Sequence, residues 1–386
     1  MGEKLIAGGS SMAKLLVIGA GPAGLYAASE AARFGFEVTL CEKGKVGDNI
    51  RCAEGFFDTL KLLGKPEFGV LFKVEKLIVR AVSTYQLSAH QLNLWMIDRA
   101  SWQRKLAEQL EELGVKVRED SPINPKDLAK LKKEYDFIID ASGAPSVTSR
   151  AYGFASFYKH NSGKTVQYTL EGDFSHIGNN LKVGLMPDFW GYYWIFPKSK
   201  NLANVGVGNF CSDEKDRLWD RLHKVLEEEG LSGYKIVKKT GGICPTALPH
   251  TLVFENILLV GDAAGLTSPF HGGGIDMAII SAKEAVKAIA SDWTKYEKNL
   301  RAIIENKLKF EGLIVKIWRQ RNLEEMDSLI ASLKRYNLDR LLANPKLING
   351  FSLQLLEKAL VKKQTSTKFR DNETPKVDKE VPFFKM

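Results

Sequence analysis

The chain has 386 residues, a net charge of +9 and a hydrophobic fraction of 44%, which is length for about two domains and the balance of an ordinary globular protein. No stretch reaches the apolar length of a membrane span, no secretory signal precedes the first strand, and Cys41, Cys52, Cys211 and Cys244 form neither a CxxC pair nor a metal-ligand spacing. A spanning protein, a disulfide scaffold and a cysteine metal centre are thereby excluded, and a reduced, cytoplasmic setting is expected. The lysines are spread and no nucleic-acid motif occurs, so the positive charge suggests an acidic partner or a lipid surface rather than nucleic acid.

Residues 1–11 are set aside as an extension before Met12. Residues 14–18, "KLLVI", read as a buried parallel strand running into a glycine turn. "GPAGLYAASEAARFG" then reads as a helix and "FEVTLCEK" as a second strand, which completes a βαβ unit. "KLIVRAV" and "TYQLSAH" resemble an antiparallel pair. Residues 99–113 have a helical period, "GVKVRED" is a short strand, and "YDFIIDASGA" is a buried strand ending in small residues. From about 156 to 210 short strands alternate with turns. One of them is "GYYWIFPK" at 191–198, where Tyr192, Tyr193, Trp194 and Phe196 crowd together. Aromatic residues favour strands in general, so the stretch by itself fits a core strand or a pocket wall. Residues 213–230 look helical, "NILLVGDAAG" at 256–265 returns to a buried strand, and an alanine-rich helix begins near 273. Residues 294–360 are mostly helical, and the polar, charged end from about 362 is expected to fray.

This alternation predicts an α/β protein with a discontinuous Rossmann-like domain and an inserted antiparallel substrate domain. The expected nucleotide-binding parts are 12–72, 96–155 and 246–293. The expected β-rich substrate parts are 73–95 and 156–245, and 294–386 forms a helical C-terminal region with a flexible tail.

"GAGPAG" at 19–24 has the G-x-G-x-x-G form between a strand and a helix. Gly19 permits the tight turn, Gly21 lets a pyrophosphate approach the backbone, and Gly24 lets helix and strand pack closely. Glu42 closes the second strand, where a carboxylate can accept hydrogen bonds from a ribose. Two further segments favour FAD over NAD. One carries Arg99 at the head of a helix. The other is "GDAAGLTSPFHGGGI" at 261–275, where Asp262 can meet a ribityl hydroxyl or pyrophosphate-bound water. The glycine run that includes Gly273 and Gly274 weakens a helix start, yet it offers N–H donors to the flavin N1–C2=O edge.

With these motifs in order ("GAGPAG", Glu42, "RCAEGF", Arg99, "IIDASGA", "YYWIFPK", "GDAAG" and "GGGI"), the sequence resembles the geranylgeranyl reductases over roughly residues 14–290. These are FAD enzymes of the para-hydroxybenzoate hydroxylase-like group that saturate isoprenoid double bonds. The resemblance implies that Gly24, Glu42, Arg51, Cys52, Arg99, Gly143, Asp262, Gly274 and Ile275 contact FAD, with Val117 offering its backbone to the adenine. It also implies that Tyr193, Trp194 and Phe196 wall a polyprenyl pocket, and that Cys52 and His271 are the candidate proton donors. No metal is called for. The implied reductant is a ferredoxin or NAD(P)H, since no second dinucleotide fingerprint is present. Apolar residues of the helical region, Ile303, Ile304, Leu308 and Phe310, alternate with lysines and suggest peripheral membrane contact. The rival readings are a flavin monooxygenase or halogenase and a non-catalytic prenyl carrier.

Overall fold

A computed structural model describes residues 12–209 and 217–335, together with 353, 354, 357 and 358. In chain order its strands are β1 (Lys14–Ile18), β2 (Glu37–Cys41), β3 (Gly55–Phe57), β4 (Val70–Lys73), β5 (Lys76–Arg80), β6 (Thr84–Ser88), β7 (Leu94–Ile97) and β8 (Lys116–Arg118). They continue with β9 (Phe137–Asp140), β10 (Ser162–Glu171), β11 (Leu181–Leu185), β12 (Gly191–Ser199), β13 (Leu202–Asn209), β14 (Lys235–Pro245), β15 (Val253–Phe254) and β16 (Ile257–Leu259). The helices are α1 (Pro22–Arg33), α2 (Arg99–Glu112), α3 (Leu128–Glu134), α4 (Val147–Ala151) and α5 (Ser156–His160). After them come α6 (Leu218–Glu228), α7 (Ile275–Ile289), α8 (Tyr296–Arg319) and α9 (Leu323–Arg335).

The first layer is a six-stranded sheet in the order β15-β16-β9-β1-β2-β8, parallel except at its β15 edge. Its central strands are apolar on both faces because helices cover both, the usual condition of a parallel sheet. Leu15 and Val17 join the core shared with α1, α2 and α7, while Leu16 and Ile18 pack towards Leu128 and Val147. The second layer is a seven-stranded sheet in the order β14-β10-β13-β12-β11-β5-β6. It draws β5 and β6 from residues 76–88 and its other strands from residues 162–245, so the two segments do build one sheet. On one face of it, α6 buries Leu222 and Val225 against Tyr193, Ile195 and Val205.

Some elements differ from the expectation. A third sheet, β3-β7-β4, is drawn from residues 55–97 and sits between the other two. Its strands are three or four residues long, too short for a period to show. The strand expected over 256–265 stops at Leu259 and is followed by a 3-10 turn at Gly261–Ala264, where Gly261 adopts φ 57°. The helix expected from 213 is α6, beginning at Leu218; residues 210–216, with Cys211, lie outside the described residues. The same holds for most of the region expected to be helical after 335 and for the tail expected to fray.

Candidate active site

The glycine turn after β1 is where the first layer opens. Gly19 has φ 97°, and a Cβ there would stand 2.6 Å from the Ala141 carbonyl oxygen. A Cβ on Gly24 would fall 1.8 Å from the Gly19 carbonyl oxygen. Gly21 is the reverse case: a Cβ there would meet nothing within 4 Å, because the residue faces a cavity at the head of α1. α1 starts with Pro22, has no side-chain cap and has no acidic residue in its first turn, so its N–H groups are left for an anion. Glu42 Oε2 accepts the Ala20 N–H at 2.7 Å, and Gln103 donates to the Ala20 carbonyl at 3.1 Å. Gln103 also accepts from Arg99 Nε at 2.8 Å, which fixes Arg99 against the turn.

From this turn a cavity of about 1270 Å³ runs through the molecule. Asp262 is open to this cavity; the protein packed around it raises its pKa by desolvation, opposed by Arg99 and the Thr267 hydroxyl. The glycine run before α7 lines the same stretch, with Gly272 at φ 64°. Further on come Cys52, Tyr192, Trp194 and Phe196, and beyond them apolar side chains of β5, β11, α8 and α9. The far part is a tunnel between the open face of the seven-stranded sheet and two amphipathic helices.

Of the residues singled out from sequence, Gly19, Gly21, Glu42, Arg51, Cys52, Arg99, Gly143, Asp262, His271, Gly273, Gly274 and Ile275 line this one cavity, with Trp194 and Phe196. Three others do not. Gly24 is a packing residue of the turn, as its clash distance shows. Val117 lies on the edge strand β8 opposite Leu40 and is absent from the cavity wall. Tyr193 is corrected: strand side chains alternate faces, so it points away from its neighbours 192, 194 and 196. It is 1% exposed in the α6 core, and its hydroxyl donates to Glu229 at 2.5 Å. Tyr192 takes its place on the wall, and its hydroxyl donates to the His271 carbonyl at 2.7 Å.

The structure also explains why two of the motifs occur together. Glu54, inside "RCAEGF", is buried at φ 69° and accepts from Lys198 Nζ at 2.7 Å, at the end of "YYWIFPK". The same carboxylate accepts from Asn204 Nδ2 at 2.9 Å and from the Arg99 N–H at 3.0 Å. Gln167 donates to the Cys52 carbonyl at 3.3 Å and accepts from Trp194 Nε1 at 3.0 Å. The Cys52 loop is thus fastened to the aromatic strand by two polar networks. Cys244 joins the wall from β14, its thiol pushed up to about 12 by burial. Sequence reasoning missed Glu54, Gln167, Lys198 and Cys244; Glu54 and Lys198 stood within the two motifs it singled out.

A glycine cradle open only at Gly21, uncapped α1 N–H groups and a carboxylate at the end of β2 fit a dinucleotide. The continuing cavity, with Asp262 and a second glycine run, fits the flavin half, so the residues present suit FAD. The fold and site define an FAD-dependent oxidoreductase. An FAD-binding domain model matches residues 14–180, and a geranylgeranyl reductase catalytic domain model matches residues 166–244. A digeranylgeranylglycerophospholipid reductase of Methanosarcina acetivorans is 30% identical over 84% of this chain and 89% of its own length. Digeranylgeranylglycerophospholipid reductase 1 of Methanococcoides burtonii is 28% identical over 83% and 87%. A solved structure from Thermoplasma acidophilum, described as geranylgeranyl bacteriochlorophyll reductase-like, shares the fold with a TM-score of 0.71 at 22% identity, covering 91% of this chain and 97% of that one. The chain belongs to the geranylgeranyl reductase family. It is an FAD-dependent reductase of prenyl carbon–carbon double bonds.

Proposed function

We propose that the chain saturates the geranylgeranyl chains of a glycerophospholipid during membrane-lipid biosynthesis. The observation that carries this reading is the uninterrupted passage from the glycine cradle, past Cys52 and Trp194, to the apolar walls of α8 and α9. An extended prenyl chain gains affinity chiefly by burying apolar area, and the tunnel offers that surface.

Bound FAD supplies hydride chemistry. The Gly19–Gly24 turn and the α1 N-terminus hold its pyrophosphate, Glu42 its ribose, and Asp262 and the run before α7 its flavin half. An isolated alkene has no carbonyl to polarise, so the protein's part is to position the bond, exclude water and supply a proton. Trp194 and Phe196 position the chain, and Cys52 lies on the same wall as the donor of that proton. Tyr192 ties this wall to the His271 loop. Electrons come from a ferredoxin or NAD(P)H.

No helix among the described residues is long and apolar enough to cross a membrane. We further propose that the lipid is taken from a bilayer by a peripheral contact on the cytoplasmic side. The reading is tested by incubating FAD-loaded, dithionite-reduced protein with digeranylgeranylglyceryl phospholipid and following the lipid by mass spectrometry. A gain of one hydrogen molecule per double bond is expected. Unchanged lipid alongside a reoxidising flavin would overturn it.

A further inference from the structure

One charged cluster interrupts the tunnel wall, and the chemistry above leaves most of it unused. Lys307 and Glu311 lie one turn apart on α8, 6% and 4% exposed, with Lys307 Nζ 2.8 Å from Glu311 Oε1. The same oxygen is 3.4 Å from His271 Nε2, in the loop that leads to the glycine run. Burying such charges is costly, and a wall needing only apolar contact would carry neither. Three buried atoms of the cluster (Glu311 Oε2, Lys307 Nζ and His271 Nε2) have no aligned hydrogen-bond partner among the described residues.

The other ring nitrogen fixes the resting proton. The Gly273 N–H donates to His271 Nδ1 at 3.2 Å, so Nδ1 holds a lone pair and the proton of the neutral ring sits on Nε2, towards Glu311. A proton added at Nδ1 would remove that acceptor and release the Gly273 amide. Gly273 lines the cavity directly before α7, where backbone N–H groups favour negative charge. The imidazolium so formed would face an ionised partner: burial acts to raise the Glu311 pKa, but His271 and Lys307 outweigh it and lower it to about 2.

We propose that His271, positioned by Glu311 and Lys307, takes up a proton when the bound FAD is reduced, and that this turns the Gly273 amide towards the reduced ring. The proposal rests on FAD occupying the cavity as assigned above. In its balance, an external low-potential donor gives two electrons and one proton to the cofactor, and a second proton enters at His271 Nδ1. Reduction and proton uptake favour each other because the released amide meets the new negative charge.

Other ionisable groups surround the loop. Tyr192 on β12 donates to its backbone, Cys244 stands on β14, and Cys52, Asp262 and Arg99 line the same stretch of cavity. Burial keeps Tyr192 and Cys244 protonated at neutral pH. Asp262, raised by desolvation, is the competing acceptor.

The test is the midpoint potential of FAD-loaded protein, titrated with dithionite between about pH 5 and pH 9, where a histidine titrates. The wild type should show a window in which the potential steepens by a further tenfold in equilibrium constant per pH unit, about 30 mV for a two-electron couple. H271N should lose that window, E311Q should move it to lower pH, and E311D should restore it. Nitrogen NMR should find His271 as the Nε2–H tautomer in the oxidised protein and protonated on both ring nitrogens in the reduced one, a readout that survives if a variant fails to fold. A one-proton slope throughout in the wild type overturns the proposal, as does a steep window that persists in H271N, which would put the second proton on the reduced cofactor itself or on Asp262. A wild-type protein that takes up no FAD overturns the cofactor assignment itself, and this inference with it.

Discussion

Gly21 and Gly24 stand in one motif and carry different loads. A side chain at Gly24 would strike the Gly19 backbone, so any replacement acts on folding; at Gly21 there is open space. Gly21→Val should therefore leave far-UV circular dichroism close to wild type, and Tm close to that of the FAD-free wild type, while the purified protein is colourless. Stoichiometric FAD in that variant would place the cofactor elsewhere. Cys52 is a second residue whose roles separate. Its Sγ accepts the Glu54 N–H at 3.2 Å, but Glu54 is held independently by Lys198, Asn204 and Arg99. Cys52→Ala should keep FAD and the fold yet lower turnover at least tenfold, a barrier change of about 1.4 kcal/mol. Single-turnover reoxidation with lipid present measures it, and an unchanged rate would reduce the thiol to packing. The glycine motif and "RCAEGF" were legible because their spacing records backbone requirements. Tyr193 was misassigned because a run of aromatic residues does not say which parity faces the pocket.

At the scale of elements, strands buried on both faces stood out in the sequence as apolar runs. The β3-β7-β4 sheet did not, and neither did α3, α4 and α5, since five to seven residues give too few turns for a period. The tunnel walls on α8 were visible only as amphipathic pattern, which cannot distinguish a core face from a cavity face. The contact of α6 with the seven-stranded sheet depends on Glu229, the residue that follows the helix. It is 7% exposed at its side chain and bonded to Arg80, Tyr193 and Lys182. Burial acts to raise its pKa, but Lys182, Tyr193 and Arg80 outweigh it, and the net shift is downward. A carboxylate lowered in the folded state stabilises above its unfolded pKa of about 4.3, and that contribution is lost as pH falls through the folded value. Tm should therefore drop below about pH 4.3 in the wild type. Glu229→Gln should start lower at neutral pH and show a flatter acid limb. An acid limb as steep as the wild type's would remove Glu229 from the account.

On the scale of the whole molecule, the difficulty is delivery: a geranylgeranyl lipid is barely soluble in water. The alternation of apolar residues and lysines after residue 300 suggested an interfacial helix, but α8 spends those side chains inward. Ile304 is fully buried, Ile303 and Phe310 line the cavity, and Leu308 packs on the main core. The proposed bilayer contact is then sought on another part of the surface, and the net charge of +9 would supply a long-range attraction that needs no particular helix. Such attraction is screened within about 8 Å at physiological salt, so it should have a clear signature. The protein should sediment with vesicles containing anionic lipid at low salt and be released as salt rises, while neutral vesicles leave it in the supernatant. Four substitutions that invert surface lysines should weaken sedimentation and slow reduction of vesicle-embedded lipid, with activity on detergent-dispersed lipid preserved. Absence of sedimentation at low salt, together with full activity on dispersed lipid, would mean that the lipid arrives on a carrier. The positive charge would then have no part in delivery, and lipid binding would be left entirely to the tunnel.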